Sequence, residues 1–583
     1  MHSKRSLMQL IALFDPLKAG SPAAFLSLDR GTLTLGNIEA IMTPATILLT
    51  VPLGLFLIYF LKQSFTKRTT APLPPGPPPK PLIGNLRDLP SPDQQSWAHW
   101  LKHKDLYGPI SSLTVFGQTI VIINEARIAF DLLEKRSTIY SSRPRMVFAG
   151  EMYSFTQARP FRNSSLFSVL RIGWEHSLAM QPYSDTFRAY RKAMHRVLGT
   201  KNAISQFDQL QEVEVRRLLL RILKKPDNLV HHIRTATGAV ILKIAYGYDI
   251  APHGDDPLVA LANKTLDQFS LAATPGAWIV DTIPALRYLP SWIPGAGFQR
   301  TAETMRDTLR VAVEKPYRFV LKQMESGRYS HSYLSNLLSE TKEGSQSAEE
   351  EQVNKWTATS IYTGGADTTV SALSTFFLAM ALHPHVQQKA QAELDAVLSP
   401  HNLPSLTDRP RLPYIEAVAK ETLRWHPVGP MGIPHTCTED NIYNNYLIPQ
   451  GALVMPNIWA FTHDPAVYRD ASAFNPSRFL GPTPEADPAN LAFGFGRRIC
   501  PGRLLADSSL FLAIAQVLAV FEIRIASEAS AKTEFLPGVI SHPVLGGLDV
   551  RPRSWGHEEL VRGVEVDYPF GVGSVGELEG IVI

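Results

Sequence analysis

Two cysteines occur in this 583-residue chain, and one of them, Cys500, lies in the run Phe493-Gly494-Phe495-Gly496-Arg497-Arg498-Ile499-Cys500-Pro501-Gly502. A thiolate there can ligate a haem iron, provided its sulfur is held against the metal and partly neutralised by backbone N–H donors. A buried anion without such partners is costly. Gly496 and Gly502 suit a chain that must turn tightly and bring its amides close to the sulfur. Arg498 suits a haem propionate, which takes a charge-assisted, preferably bidentate partner. Phe493 is placed to cover the sulfur and exclude water. Beyond Pro501, the residues Leu504, Leu505, Leu510, Phe511, Ile514 and Val517 recur at helical spacing. Cys500 therefore stands just before a helix N-terminus, whose dipole favours thiolate over thiol. A buried cysteine in a glycine-rich turn would explain Cys500 alone, but not the Phe, Gly, Arg and Cys positions together.

A second constellation is Gly364-Gly365-Ala366-Asp367-Thr368-Thr369, inside a helical pattern from about Trp356 to Met380. Each glycine costs a helix about 1 kcal/mol relative to alanine. A groove beside a cofactor would justify that cost, and Asp367 with Thr368 would then form a carboxylate-hydroxyl pair suited to moving protons. The plainer alternative is a glycine-marked helix break with a polar cap. A third is Glu421-Thr422-Leu423-Arg424, opposite charges at i and i+3 on one helix face. Such pairs are usually surface features worth a few tenths of a kcal/mol.

The cysteine loop resembles the cysteine motif of the cytochromes P450, and Asp367-Thr368 resembles that family's oxygen-activation pair. The resemblance spans roughly Ile41 to Ser554. It implies a mainly α fold with a smaller β region, the cytochrome P450 fold, with haem on a Cys500 thiolate and an N-terminal membrane helix. It also implies that Arg478, in Phe474-Asn475-Pro476-Ser477-Arg478-Phe479, completes a buried network with Glu421 and Arg424 that locks the cysteine loop. Arg191 is implied as a propionate partner, while Phe187 stands where the family usually carries Trp. His435 sits where relatives often place another propionate partner; a satisfied core or surface histidine is the equal alternative. The distal pocket is expected from Val428 to Ile433 and from Ile361 to Ala366. The activity implied is insertion of one atom of dioxygen into an apolar small molecule, with electrons from an NADPH-cytochrome P450 reductase. The stretches Tyr414 to Pro427 and Ile448 to His463 are most similar to fungal microsomal members of the O-methylsterigmatocystin oxidoreductase type, which implies secondary metabolism. A non-redox haem-thiolate isomerase or dehydratase and a non-catalytic haem-binding protein stay open as alternatives.

The elements that must position these residues are partly legible. At 45% hydrophobic the chain can bury a large core, and a net charge of +4 without a concentrated basic patch argues against nucleic-acid binding. Cys437 and Cys500 fit a reducing compartment, not a disulfide framework, and Cys437 reads as structural. From Ile41 to Leu61, roughly 21 positions carry no charge, about the length that crosses a bilayer as a helix. Lys62, Lys67 and Arg68 follow it, while Asp29, Arg30 and Glu39 precede it. The positive-inside rule then places the bulk of the chain in the cytosol, and the resemblance to microsomal members implies a single-pass anchor in the endoplasmic reticulum membrane. A signal peptide is the alternative, disfavoured by the late start and the length. The division expected is an extension over 1–40, a transmembrane helix over 41–61, a basic and proline-rich hinge over 62–85, a catalytic domain over 86–554 and a tail over 555–583. Within the domain, 153–171 is an irregular insertion unlike the family, and the Gly- and Glu-rich tail shows weak periodicity. Strands are expected at Ile110 to Val115, Gln118 to Ile123 and Ala452 to Met455, with a tight turn at Tyr443 to Tyr446.

Overall fold

The computed structural model describes residues 71–91, 93–154, 168–274, 276–289, 292–340, 347–399, 402–526 and 533–583. The expected extension and transmembrane helix (1–61) lie outside the described residues.

The two strands read from the alternation at Gly117 form as expected, β1 (Ile110–Val115) and β2 (Gln118–Ile123), antiparallel with Ile110 opposite Ile123. Phe116 and Gly117 both have positive φ, 46° and 85°, which gives the two-residue turn whose twist matches that of the flanking strands. Two strands from the far end of the chain, β3 (His435–Thr436) and β4 (Leu453–Pro456), complete a sheet of order β1-β2-β4-β3, with β2 and β4 parallel. The strand at 453–456 sits one residue later than the alternation predicts. Along β1, the proline-rich segment is fastened down. Ser112 donates its N–H to Pro75 O and its hydroxyl to Pro74 O, and Gly76 lies so close that a Cβ would collide with Ser112 O. From Leu73 onward the expected hinge therefore covers a sheet edge that would otherwise expose unpaired backbone groups. In a separate small unit, residues 442–447 turn at Asn444 and Asn445, both with positive φ, and Leu447 N–H donates to Pro72 O.

The body is helical. Its main members are α1 (Asp185–Leu198), α2 (Asp208–Lys224), α3 (Leu229–Tyr246), α4 (Pro257–Ala272), α5 (Gly297–Glu325), α6 (Ala348–Ala366), α7 (Thr368–Leu382), α8 (Pro413–Trp425), α9 (Arg503–Val520) and α10 (Trp555–Asp567). The helical stretch expected over 356–380 is longer and broken once, at Asp367, which separates α6 from α7. α6 starts with a full capping box, in which Ser347 and Glu350 satisfy each other's backbone N–H groups. In α9, Leu510, Phe511, Ile514, Val517 and Leu518 are all buried, each worth about 1.5–3 kcal/mol against exposure. The continuous α6–α7 stretch and α9 are each long and apolar enough to cross a membrane, but most of each is packed inside the body.

Two expectations change here. The 153–171 insertion begins and ends in a β-ladder: residues 151–154 pair antiparallel with 168–171, Met152 opposite Leu170, while 155–167 lie outside the described residues. The tail is not structureless. α10 buries Val561 and Val564, and Phe570 lies under the guanidinium groups of Arg217 and Arg221, each 5.1 Å from the ring centroid. Beyond it, Ser574 N–H donates to Asp249 O, Leu578 is buried, and Lys322 Nζ donates to the carbonyls of Glu577 and Glu579. Two inward valines three residues apart, followed by one distant leucine, are too sparse to register as a period.

Candidate active site

The cysteine loop runs from a short helix ending at Ala492, through a 3-10 turn at Gly496–Arg498, to the start of α9. Cys500 N–H donates to Phe493 O at 2.8 Å, closing the loop. Gly496 must be glycine: its φ is +51°, and a Cβ there would lie 2.5 Å from Leu133 O. Gly502 is under no such constraint; a Cβ would meet nothing within 4 Å. What Gly502 supplies is a backbone N–H toward the Cys500 sulfur. Burial pushes the Cys500 thiol up, and the Gly502 amide, Arg191 and Arg503 oppose that. Burial and these donors thus act in opposite directions on the sulfur, and the donors are the ones a thiolate ligand needs. Phe493 lines the cavity and is half-buried; the ring sealed into the core is Phe495, edge-on to Phe130 at 5.3 Å.

Cys500 opens into a cavity of about 430 Å³ whose walls include Arg191, Arg498, His435 and Arg143. Among the described residues, none of these four has a carboxylate in bonding range. Arg498 donates to the carbonyls of Ser141, Leu178 and Gln181, and Arg191 to Ile499 O. Arg143 donates to the carbonyls of Ala179, Ile433 and Pro434. Burial and neighbouring Arg191 pull Arg498 down to about 9, and burial with the Arg143 charge holds His435 well below its usual range. The buried His435 ring also meets Tyr140 O at 2.7 Å. Cations gathered beside an apolar cavity without an anion make a place for a dianionic ligand edge, so the residues present fit the two propionates of haem. Phe187 lies flat against Arg498, 3.9 Å from ring centroid to guanidinium, so the ring that lacks an indole N–H still supports the arginine. No sequence motif marks Arg143.

Opposite the cysteine loop, α6 and α7 present Ile361, Gly364 and Thr368 to the same cavity, joined by Val428, Gly429, Gly432 and Ile433 from the segment expected to line it. The two glycines divide their tasks. A Cβ on Gly364 would meet nothing within 4 Å, whereas one on Gly365 would lie 2.4 Å from the Ile241 side chain of α3. Gly364 leaves the groove open; Gly365, also on the cavity wall, lets two helices approach. Asp367 and Thr368 are adjacent at the break but take different partners. Thr368 Oγ1 donates to Gly364 O at 2.8 Å, while the Asp367 carboxylate accepts from His542 Nε2 at 2.9 Å. His542 carries no motif either. Trp174 and Phe269, tilted together with centroids 4.6 Å apart, add an aromatic wall.

The third constellation is buried. Glu421 and Arg424 on α8 are fully inaccessible, joined by Arg424 Nε to Glu421 Oε2 at 2.7 Å and Arg424 Nη2 to Glu421 Oε1 at 2.8 Å. Arg478 Nε reaches Glu421 Oε1 at 3.2 Å, and its Nη1 adds Glu485 at 2.7 Å, a fourth member that the sequence does not announce. Five backbone carbonyls, those of Thr462, Arg469, Asp470, Ala471 and Ala473, accept from the remaining guanidinium N–H groups.

The cytochrome P450 family model matches residues 74–549. The chain belongs to the cytochrome P450 family. It is similar to the cytochrome P450 monooxygenase claR of Ampulloclitocybe clavipes, 45% identical over 535 residues, 90% of this chain and 95% of that protein. Cytochrome P450 monooxygenase ppsD of Aspergillus oryzae is 46% identical over 85% of this chain and 92% of its own length. The O-methylsterigmatocystin oxidoreductase of Aspergillus flavus is 43% identical over 89% and 94%. Among solved structures, a zebrafish cytochrome P450 with abiraterone superposes with a TM-score of 0.60 at 25% identity, over 79% of this chain and all of that one. This P450 is a haem-thiolate monooxygenase of the kind found in fungal secondary metabolism. The isomerase, dehydratase and non-catalytic alternatives fall with that finding.

Proposed function

We propose that Cys500 is the axial thiolate, that Arg498, Arg191, His435 and Arg143 hold the propionates, and that Asp367 and Thr368 deliver protons. The observation that carries this is one cavity with a cysteine on one wall, a threonine at a broken helix on another, and at its edge three arginines and a histidine with no carboxylate in bonding range among the described residues. Haem on a thiolate supplies the activation of dioxygen. The chain's own residues do the rest. Phe495 and the glycine-constrained turn at Gly496 fix the sulfur; Gly502 N–H and Arg191 take up its charge. The Thr368 hydroxyl, held by Gly364 O, stands at the cavity wall where a proton is needed. Glu421, Arg424 and Arg478 are structural and move no proton.

The substrate is an apolar small molecule, supported by a wall built mostly of Leu, Ile, Val, Phe and Trp. The relative named as an O-methylsterigmatocystin oxidoreductase supports a secondary metabolite as substrate. Electrons come from an NADPH-cytochrome P450 reductase. The span 41–61 anchors the protein in the endoplasmic reticulum membrane as a single pass, after the extension 1–40, with the hinge 62–85, the domain 86–554 and the tail 555–583 on the cytosolic side. The uncharged length and the flanking Lys62, Lys67 and Arg68 support that topology.

Thr368→Ala should leave haem binding intact and divert electrons to hydrogen peroxide, lowering product per NADPH by about tenfold or more, as expected for loss of a proton donor. Unchanged product per NADPH would remove Thr368 from the mechanism. A protein beginning at Thr66 should lose most membrane anchoring and keep its haem spectrum. Full resistance of that form to alkaline carbonate extraction would show that 41–61 is not the main anchor.

A further inference from the structure

Asp367 is a buried residue at the one break between α6 and α7, and a buried carboxylate needs a partner. Its partner comes from the other end of the chain: His542 Nε2 lies 2.9 Å from Asp367 Oδ2. The backbone that presents this ring is tied down at several points. Ser541 N–H donates to Val428 O, Ser371 Oγ to Ser541 O, Ser541 Oγ to Leu536 O, and Leu536 N–H to His542 O. His426 also meets Ser541 Oγ at 2.8 Å. A side chain on so constrained a loop is held in place, not swept in by chance. The His542 side chain is 21% accessible against 11% for that of Asp367, so the ring reaches solvent more fully than the carboxylate it meets.

We propose that His542 is a positioning residue that orients Asp367 and relays solvent protons to it. This rests on Asp367 and Thr368 being the proton-delivery pair. An imidazole suits the task, since it both donates and accepts near neutral pH. One proton passes from Nε2 to Asp367 Oδ2, and solvent then restores the proton on the ring. No electron moves. The other titratable groups near this loop do not compete. Burial pulls His426 down to about 3, so that ring is neutral, and Glu534, on the opposite arm of the same hairpin, is exposed. The loop also reaches the cavity, where Val539 and Ile540 are wall residues, so the same segment touches substrate space and the proton route.

Three variants test this: His542→Gln, which keeps a hydrogen-bond donor but cannot pass on a proton; His542→Lys, which restores a transferable proton; and Asp367→Asn. All should keep the red-shifted Soret band of the reduced carbon-monoxide complex. With 7-ethoxycoumarin, or the member of an apolar aromatic panel that most raises NADPH consumption, as probe, His542→Gln should raise the share of NADPH lost as peroxide at least fivefold. His542→Lys should recover at least half of the coupling, which a merely structural role would not. Independently of turnover, the His542 Nε2–H resonance of the diamagnetic carbon-monoxide form should lie downfield in the wild type and move in Asp367→Asn. Wild-type coupling in His542→Gln while Thr368→Ala uncouples would overturn the relay alone. Wild-type coupling in both Thr368→Ala and Asp367→Asn would overturn the underlying pair and the relay with it. An unmoved Nε2–H resonance in Asp367→Asn would overturn the contact.

Discussion

Cys500→His should abolish the red-shifted Soret band of the reduced, carbon-monoxide-bound protein, together with all product formation. The band and the chemistry share one cause, the electron density that a thiolate ligand pushes onto iron, and an imidazole does not supply it. Rescue from within the chain is closed. The other cysteine, Cys437, is fully buried at the end of β3, with its sulfur 2.8 Å from Glu439 O, and is not part of the cavity wall. The arginine and histidine edge is unchanged in the variant and still available to haem, so the measurement is the band position at matched haem content, not haem content itself. A wild-type band of the histidine-ligated kind would end the assignment of Cys500.

Glu421→Ala should be the most damaging substitution outside the cavity. Among the described residues, Glu421 is the only carboxylate that meets Arg424, and both are completely buried. Removing one partner of such a pair leaves an uncompensated charge in the interior and costs about 3–5 kcal/mol. Arg478 and Asn475 N–H lose the same acceptor, so the segment from Ala471 to Arg478 that leads toward the cysteine loop is released as well. Against a total stability of about 5–15 kcal/mol that is enough to leave much of the protein unfolded. The expected result is a large fall in the ratio of haem to protein and an earlier denaturant midpoint. Glu421→Gln, which keeps an acceptor oxygen, should fall less. A midpoint for Glu421→Ala equal to that of the wild type would show the network to be dispensable.

The sequence carried the chemistry further than the architecture. Cys500, Arg498, Gly496 and the Glu421–Arg424 pair were legible because each belongs to a short run whose spacing constrains a turn or a helix face. The β1–β2 hairpin was legible from alternation on both sides of Gly117. What escaped was set by tertiary contact. His542 meets Asp367 across 175 positions, and Arg143 reaches Ile433 across 290, so neither sits in a window where a local pattern could show it. Gly365 lines the groove as expected, and it also answers to Ile241 on another helix, which no local pattern shows. The helix-dipole argument for Cys500 captured the local field; the burial of the sulfur, which opposes it, is not readable from a linear sequence.

The docked tail imposes an order in time. Lys322 on α5 and the Glu577 carbonyl it binds are 255 positions apart, and Arg217 and Tyr568 are 351 apart. At 5–20 residues per second, roughly 13 to 50 seconds of synthesis separate the appearance of Lys322 from that of Glu577. Throughout that interval the core beside α3 and α5 lacks Leu578, and the guanidinium groups of Arg217 and Arg221 lack the ring that later covers them. The helical body thus finishes folding only after its last residues leave the ribosome, and a chain interrupted before Leu578 exposes unfinished surface on helices made long before.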